Sequence, residues 1–448
     1  MSFKLPYIIC VYTFLFFGFV NDVTSQVQKV EVRQNANGDW QLLRNGTPYY
    51  IKGAGGSTLL DKLVEIGGNS IRTWSTDNAM EMLDEAHSKG LTVMMGLWVQ
   101  HERHGFDYDD KIKVALQLEG FRKVVEQLKN HPALLLWSVG NEVDLNYTNT
   151  NVWYAVNDIA AMIHEVDPNH PTTTITAGLD SSEVKLIKER APAIDIYGVN
   201  TYGDLGNVKS NIKRFGWEGP YIISEWGPNG HWEVQKTKWG VPVEQNSTEK
   251  ADSYEKRYRD FISGDKTSCL GSYVFLWGQK QETTSTWYGL FSENGESCEA
   301  IDRLEFLWTG KVPLNSSPSI DSLKVSDKYN GDYIAVIADE RFSAEVFAKD
   351  KDKDGLKFRW VIVPESTDIR SGGDAESTPK PVPGSVIRRR GGKVELRAPE
   401  AEGSYRLFLT ITDGHEHYAY GNVPFYVMPR DPGAPPSKTV SFKRLSLQ

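Results

Sequence analysis

The amino-acid sequence predicts an α/β fold, a (β/α)8 TIM barrel, followed by a small C-terminal all-β sandwich of immunoglobulin-like type. Short apolar runs alternate with amphipathic helical stretches from Ile51 to Trp308. Beyond Trp308 comes a linker rich in Pro and Ser, and then strand-like alternation without helical periodicity. Eight buried strands, each followed by a helix, are the pattern of the barrel. Short alternating strands with turn signals between them are typical of a sandwich.

The barrel elements are expected in chain order after a β-hairpin at residues 28–50, whose turns are Asn37-Gly38 and Asn45-Gly46. The first strand begins at Ile51, and the other apolar runs are 70–74, 91–99, 133–143, 172–177, 194–202, 221–226 and 272–277. An open doubly wound sheet is the alternative. It is disfavoured because no Gly-X-Gly-X-X-Gly follows the first strand.

The domain boundaries follow from these patterns. We predict a signal peptide at residues 1–25, the barrel at 26–312, the sandwich at 313–430 and a flexible tail at 431–448. The sandwich strands are expected at 333–338, 343–348, 357–363, 393–398, 405–412 and 423–427. The acidic stretch from Asp350 to Asp354 is expected to be a polar hairpin turn. Val361 stands where a calcium-binding loop needs a bidentate Glu.

The first residues have the features of a secretory signal. Lys4 precedes an apolar run over residues 7–20, and small side chains precede Gln26. The run is short for a membrane span, and no second long apolar run follows it. We therefore expect a secreted or periplasmic protein with no membrane span in the mature chain.

Composition limits the classes of partner. The formal net charge is −9, which disfavours a nucleic-acid partner because phosphate binding needs a basic face. A neutral polysaccharide or oligosaccharide, a monomeric protein and no metal or organic cofactor are expected. The mature chain retains Cys269 and Cys298. These could form a disulfide in an oxidising compartment or stay as two buried free thiols.

Two glutamates carry the chemistry. Glu142 ends the fourth apolar run, in Trp137-Ser138-Val139-Gly140-Asn141-Glu142, and Glu225 ends the seventh, in Ile223-Ser224-Glu225-Trp226. The active site of such a barrel lies at the carboxyl ends of its strands. Strands four and seven are nearly opposite, so the two carboxylates could face each other. Retaining glycosidases use such a pair at about 5–5.5 Å.

These motifs resemble clan A of the glycoside hydrolases over residues 28–310. The resemblance implies that Glu142 is the general acid/base and Glu225 the nucleophile. It also implies that Asn141 binds the sugar 2-hydroxyl, that Arg72 supports the nucleophile and that Tyr202 contacts it. An aromatic residue on strand eight commonly floors the subsite of the reacting sugar, and Trp277 matches that position.

Further aromatic residues fall at or just past strand ends, where sugars could stack. Five tryptophans lie in such places, and we expect two or three of them to touch substrate: Trp74, Trp98, Trp226, Trp232 and Trp287. Some members of the clan have a substrate-contacting His after strand three. His101 is the candidate for that role here, with His104 as the alternative in the same charged loop.

Within the clan, the barrel resembles the catalytic domain of family 2. The stretch Trp277-Gly278-Gln279-Lys280-Gln281-Glu282 and the C-terminal domain resemble family 158. That second resemblance implies endo-cleavage of β-1,3-glucan (laminarin type) by double displacement. The enzymatic alternatives are an exo-β-glycosidase, a β-mannanase and a β-glucan transglycosylase, and segments 100–111 and 227–249 could shape either an endo or an exo site. A non-enzymatic glycan-binding barrel is the alternative from another class.

Overall fold

A closed barrel of eight parallel strands forms the centre of the molecule, and the prediction of a (β/α)8 barrel is confirmed. The computed structural model describes residues 28–430. The predicted signal peptide and C-terminal tail lie outside the described residues. Within the described part, no helix is both long and apolar enough to cross a membrane.

Each barrel strand is buried on both faces, as parallel strands covered by helices are. The barrel strands are β4 (Ile51–Gly55), β5 (Ser70–Arg72), β6 (Thr92–Leu97), β7 (Leu134–Asn141), β8 (Thr172–Ala177), β9 (Ile196–Asn200), β10 (Tyr221–Trp226) and β11 (Cys269–Val274). The helices are α1 (Leu60–Glu65), α2 (Ala79–Ser88), α3 (Lys111–Leu128), α4 (Val152–Val166), α5 (Ser181–Arg190), α6 (Val208–Arg214), α7 (Ser247–Arg257) and α8 (Glu299–Thr309). The barrel closes where β11 pairs with β4.

The eighth strand begins three residues earlier than predicted. It spans Cys269–Val274, whereas the apolar run suggested 272–277. The residues that follow it, Phe275 and Trp277, are buried beneath the next segment and not part of the strand. A buried loop has the same apolar composition as a buried strand, so periodicity does not separate the two.

The predicted hairpin covers the amino-terminal end of the barrel. Strands β1 (Val30–Gln34), β2 (Trp40–Arg44) and β3 (Thr47–Pro48) form a small antiparallel sheet. Val30 and Leu42 of this sheet pack in one cluster with Ile51, Leu135 and Ile222 from the starts of barrel strands. The opposite, carboxyl-terminal end is therefore where a site can open.

The C-terminal region is a two-sheet sandwich with its own core, as predicted. One sheet contains β12 (Ser319–Val325), β13 (Lys328–Tyr329), β15 (Arg341–Lys349), β17 (Val386–Arg390) and β18 (Lys393–Arg397). The other contains β14 (Ala335–Ile337), β16 (Lys357–Pro364), β19 (Gly403–Thr412) and β20 (Tyr418–Met428). The acidic stretch from Asp350 to Asp354 connects β15 to β16, which belong to different sheets. It is therefore a sheet-to-sheet connection, and the expected hairpin is wrong.

Both cysteines of the described chain are free and buried. Cys269 begins β11, and Cys298 immediately precedes α8. Burial raises the pKa of each thiol to about 12. Of the two possibilities that the sequence left open, the structure shows the unpaired one.

Candidate active site

The two glutamates emerge at the carboxyl ends of β7 and β10, at irregular points of the barrel. The register between β7 and β8 shifts between Ser138 and Asn141, and that between β10 and β9 shifts between Ile223 and Glu225. Such bulges re-aim side chains near active sites. Glu142 has a φ of 50°, in the left-handed region. This conformation is unfavourable for a residue with a Cβ and is found at functional sites held by their surroundings.

Glu225 is held by hydrogen-bond donors on both carboxylate oxygens. Arg72 Nη1 lies 2.7 Å from Oε1 and Trp74 Nε1 lies 2.9 Å from it. Tyr202 donates its hydroxyl to Oε2 at 3.0 Å. The Arg72 side chain is fully buried. Three side-chain donors, one of them a guanidinium, thus fix the position of the Glu225 carboxyl group.

Glu142 has a different environment. Asn200 Nδ2 donates to its Oε1 at 2.9 Å. Burial and the nearby charge of Glu225 raise the pKa of Glu142 to about 7. Its carboxyl group is therefore substantially protonated at neutral pH. Two neighbouring carboxyl groups in environments that separate their protonation states can serve as an acid and a nucleophile.

Asn200, at the end of β9, connects the two glutamates. Its Oδ1 accepts from Arg72 Nη1 at 3.3 Å and from Ser224 Oγ at 2.8 Å. Its Nδ2 also donates to Asn141 Oδ1 at 3.1 Å. Arg72 bonds that same oxygen through Nη2. The side chains that bond Glu225 and Glu142 thus form one network. Sequence reasoning did not identify Asn200 as a site residue.

His101 contacts the backbone of Asn141 and not its side chain. Its Nε2 donates to the Asn141 carbonyl oxygen at 2.7 Å. Burial lowers the pKa of His101 to about 4, so the ring is neutral at physiological pH. Trp98 packs on this ring with centroids 4.6 Å apart. His104 lies further out and bonds Asp374 of the sandwich at 3.1 Å.

Three of the predicted sugar contacts are buried instead. Trp226, Trp277 and Trp287 are at most 1% exposed. Trp226 follows Glu225 in the strand, and successive strand residues point to opposite faces. Its ring accordingly packs outward against Tyr254 and Tyr258.

Trp277 packs against Phe291, with ring centroids 4.9 Å apart, because β11 ends before it. Phe275, the first residue after β11, is the aromatic next to the site, in contact with Trp74 and Tyr202. The expectation that Trp277 floors the subsite of the reacting sugar is therefore wrong.

Trp287 donates its indole N–H to the carbonyl oxygen of Asn229 at 2.9 Å, below the segment that follows β10. The three indoles thus stabilise the barrel. The half-buried Trp74 and Trp98 and the exposed Trp232 remain as the candidate contacts of that set.

A third acidic residue near the pair was missed. Glu282 follows β11 and is 7% exposed. Its pKa is raised by burial and by the charge of Glu225, and its own charge contributes to the raised pKa of Glu142. Lys280 Nζ bonds it at 3.1 Å. Glu282 ends the loop motif that resembles family 158. Because it lies eight residues after the end of β11, the sequence pattern does not indicate that it approaches the two glutamates.

Part of the barrel is similar to a known family of catalytic domains. Residues 63–238 match the model described as glycosyl hydrolases family 2, TIM barrel domain. A β-glucuronidase of Streptococcus agalactiae is 23% identical over 318 residues, which cover 60% of this chain and 51% of that protein. Human β-glucuronidase is 25% identical over 183 residues, 36% of this chain and 26% of that protein. The chain therefore spans about half or less of the length of these relatives.

Solved structures agree on the fold. The crystal structure of Ruminococcus gnavus β-glucuronidase matches with a TM-score of 0.51 at 17% identity, covering 64% of this chain and 53% of that one. A likeness at this identity concerns the fold alone. The barrel is a TIM barrel, and its residues 63–238 are similar to the barrel domain of glycosyl hydrolase family 2.

Proposed function

We propose that the protein is a retaining β-glycoside hydrolase that cleaves a neutral β-glucan by double displacement. The observation that carries the proposal is the contrast between the two glutamates. Glu225 accepts hydrogen bonds from Arg72, Trp74 and Tyr202, while burial and the charge of Glu225 raise the pKa of Glu142 to about 7. A nucleophile and an acid are the two groups that double displacement requires.

In the first step, a Glu225 carboxylate oxygen attacks the anomeric carbon and the glycosidic C–O bond breaks. Glu142 transfers its proton to the departing oxygen, so the aglycone leaves as a neutral alcohol and a covalent glycosyl ester forms. In the second step, Glu142, now ionised, takes a proton from water as the water oxygen attacks the anomeric carbon. Glu225 leaves as a carboxylate, and the product keeps the β configuration.

The charges at the barrel mouth support a neutral sugar. Glu142, Glu225 and Glu282 bring three carboxyl groups together. The basic side chains Arg72, Lys280 and Arg103 each already bond a carboxylate of the protein, at 2.7, 3.1 and 2.7 Å. The three carboxyl groups of the protein would repel a substrate carboxylate. That carboxylate would also have to compete with carboxylates of the protein for the three basic side chains. The finer assignment, endo-cleavage of β-1,3-glucan, rests on the resemblance of the loop after β11 to family 158 and remains a prediction.

A second candidate is hydrolysis of a β-glucuronide, which the names of the relatives favour. The charge balance of the site argues against it. The two candidates are separated by kcat/KM on an aryl β-glucoside and the matching aryl β-glucuronide. We expect the neutral glycoside to be preferred by at least about ten-fold, and a preference for the glucuronide would replace the first candidate by the second.

The roles of the two glutamates are tested with Glu225→Ala and Glu142→Ala. We expect Glu225→Ala to lose about 10⁴-fold or more in kcat on every substrate. Glu142→Ala should lose about 10²–10⁴-fold on poor leaving groups and far less on a dinitrophenyl glycoside, which needs no acid. NMR of the first product should show the β anomer. An α anomer, or equal losses of Glu142→Ala on both leaving groups, would contradict the assignment.

A further inference from the structure

A long irregular segment of the sandwich reaches the mouth of the barrel. Residues 365–385, here called the arm, connect β16 to β17 and contain no helix or strand. Irregular segments longer than about 12–15 residues are uncommon in compact domains and are usually functional when they are ordered. This arm is held at defined points.

The arm bonds the loop that follows β6. Asp374 accepts from Arg103 Nη1 at 2.7 Å and bonds His104 Nε2 at 3.1 Å. The carbonyl oxygen of Ser371 accepts from Arg103 at 3.3 Å. Gly372 approaches both Arg103 and Leu145, the latter just beyond β7. The tip of the arm thus rests on loops from the third and fourth barrel strands, on the side of Glu142.

The arm also bonds the loop that follows β11. Lys280 Nζ donates to the carbonyl oxygen of Gly373 and, on its other side, bonds Glu282 at 3.1 Å. Glu376 accepts from the backbone N–H of Thr283 at 2.6 Å. The third and fourth strands lie opposite the seventh and eighth in the closed barrel. The arm therefore crosses the mouth, and on the β11 side it bonds Lys280, which in turn bonds Glu282 near the catalytic pair.

Polar atoms without a partner cluster where the arm meets these loops. Among the described residues, His101 Nδ1, Arg103 Nε, Gln281 Nε2, Thr283 Oγ1 and Ser366 Oγ are buried atoms with no hydrogen-bond partner within the protein. Leaving such a group unsatisfied costs about 1–3 kcal/mol, so native structures usually supply a partner.

We propose that the arm is part of the substrate-binding site and holds the sugar units next to the one that reacts. This rests on the proposed function and adds the sandwich to the machinery that selects polymeric substrates. At the mouth, the arm bonds Arg103, His104, Lys280 and Thr283, and none of its described hydrogen bonds goes to Glu142 or Glu225. We therefore expect loss of the arm to lower activity on a long glucan more than activity on a small aryl glucoside, because the aryl glucoside has no sugar unit other than the one that reacts.

The test uses the full chain with two variants, Asp374→Ala combined with Glu376→Ala, and an arm in which residues 370–377 are replaced by Gly-Ser-Gly. The control is Asp339→Ala, which breaks an exposed ion pair with Arg397 elsewhere in the sandwich. We expect kcat/KM on β-1,3-glucan oligosaccharides to fall at least ten-fold more than kcat/KM on an aryl β-glucoside, mainly through KM. If the variant with the shortened arm does not fold, the variant that combines Asp374→Ala with Glu376→Ala still tests the proposal.

A binding measurement separates failure of this proposal from failure of the proposed function. Calorimetry with laminarihexaose on Glu225→Gln should show affinity that the arm variants weaken at least ten-fold. Equal losses on both substrates, no loss on either, or higher activity on the polymer would overturn the role of the arm. The role of the arm would also be overturned if the wild type cleaves the aryl glucoside but Glu225→Gln does not bind laminarihexaose. Absence of all glycosidase activity in the wild type would instead overturn the proposed function.

Discussion

Asn200 lowers the pKa of the proposed acid, Glu142, through a single hydrogen bond. Its Nδ2 donates to Glu142 and favours the ionised form, against burial and the charge of Glu225, which raise the pKa of Glu142 to about 7. A general acid must be protonated, so kcat/KM should fall as the pH rises through about 7. Asn200→Ala removes the donor and should move this alkaline limb upward by as much as about one pH unit. The shift is measured by comparing the pH dependence of kcat/KM on an aryl β-glucoside for the wild type and Asn200→Ala.

The same substitution should lower kcat by about ten-fold, because Glu142 and Arg72 lose a shared partner that orients them. Asn294→Ala, at an exposed asparagine, is the control and should leave the profile in place. A limb that stays fixed in Asn200→Ala, or moves to lower pH, would show that Asn200 does not set the pKa of Glu142.

The sequence is sufficient to predict those site residues that are distinguished by their position at the end of a strand. Glu142 and Glu225 stand out because each is a charged residue at the end of an apolar run, where a barrel has its mouth. Asn200 also ends a strand, but an uncharged amide has no comparable signal. Glu282 lies eight residues beyond the last residue of β11, Val274, so its approach to the pair depends on how the following loop folds.

At the scale of elements, the segment 227–249 after β10 carries an exposed aromatic ring beside the site. Trp232 is 56% exposed, and its ring lies 5.9 Å from that of Tyr202, which bonds Glu225. An exposed indole in this place offers a stacking surface to a sugar. Trp232→Ala should raise KM on glucan oligosaccharides about ten-fold, or about 1.4 kcal/mol, with a smaller effect on kcat. Steady-state kinetics measure this split.

Tyr154→Ala provides the matched control, since Tyr154 is also an exposed aromatic, 51% accessible, but lies on α4. A KM unchanged by Trp232→Ala, or changed equally by both substitutions, would remove Trp232 from the substrate site.

Elements differ in how far the sequence defines them. Seven of the predicted barrel strands lie where the apolar runs do, because each run is bounded by turn or helix signals. The eighth is displaced because Phe275 and Trp277 are as buried as the strand itself. The arm could not be predicted as a neighbour of the catalytic pair. Its contact with Arg103 joins residues 271 positions apart, and only tertiary packing determines it.

At the scale of the whole molecule, barrel and sandwich share a buried polar junction. Glu244 of the barrel accepts from Lys250 at 2.5 Å and from Asn422 of the sandwich at 2.7 Å. Tyr418 and Tyr420, on the last sandwich strand, belong to the same buried cluster as the barrel core. The sandwich therefore stabilises the barrel at the same junction from which the arm extends to the mouth.

Lys250→Met should destabilise both domains together, because it leaves the Glu244 carboxylate buried without its cation. The free energy of unfolding should fall by about 3–5 kcal/mol, measured by urea unfolding. Adding Glu244→Gln should recover at least half of that loss, since no unpaired charge then remains. Lys256→Met breaks the pair with Asp260, in which the lysine side chain is 69% exposed, and should cost less than about 1 kcal/mol. Equal effects of the two lysine substitutions, or no recovery in the double variant, would mean that the ion pair does not hold the junction.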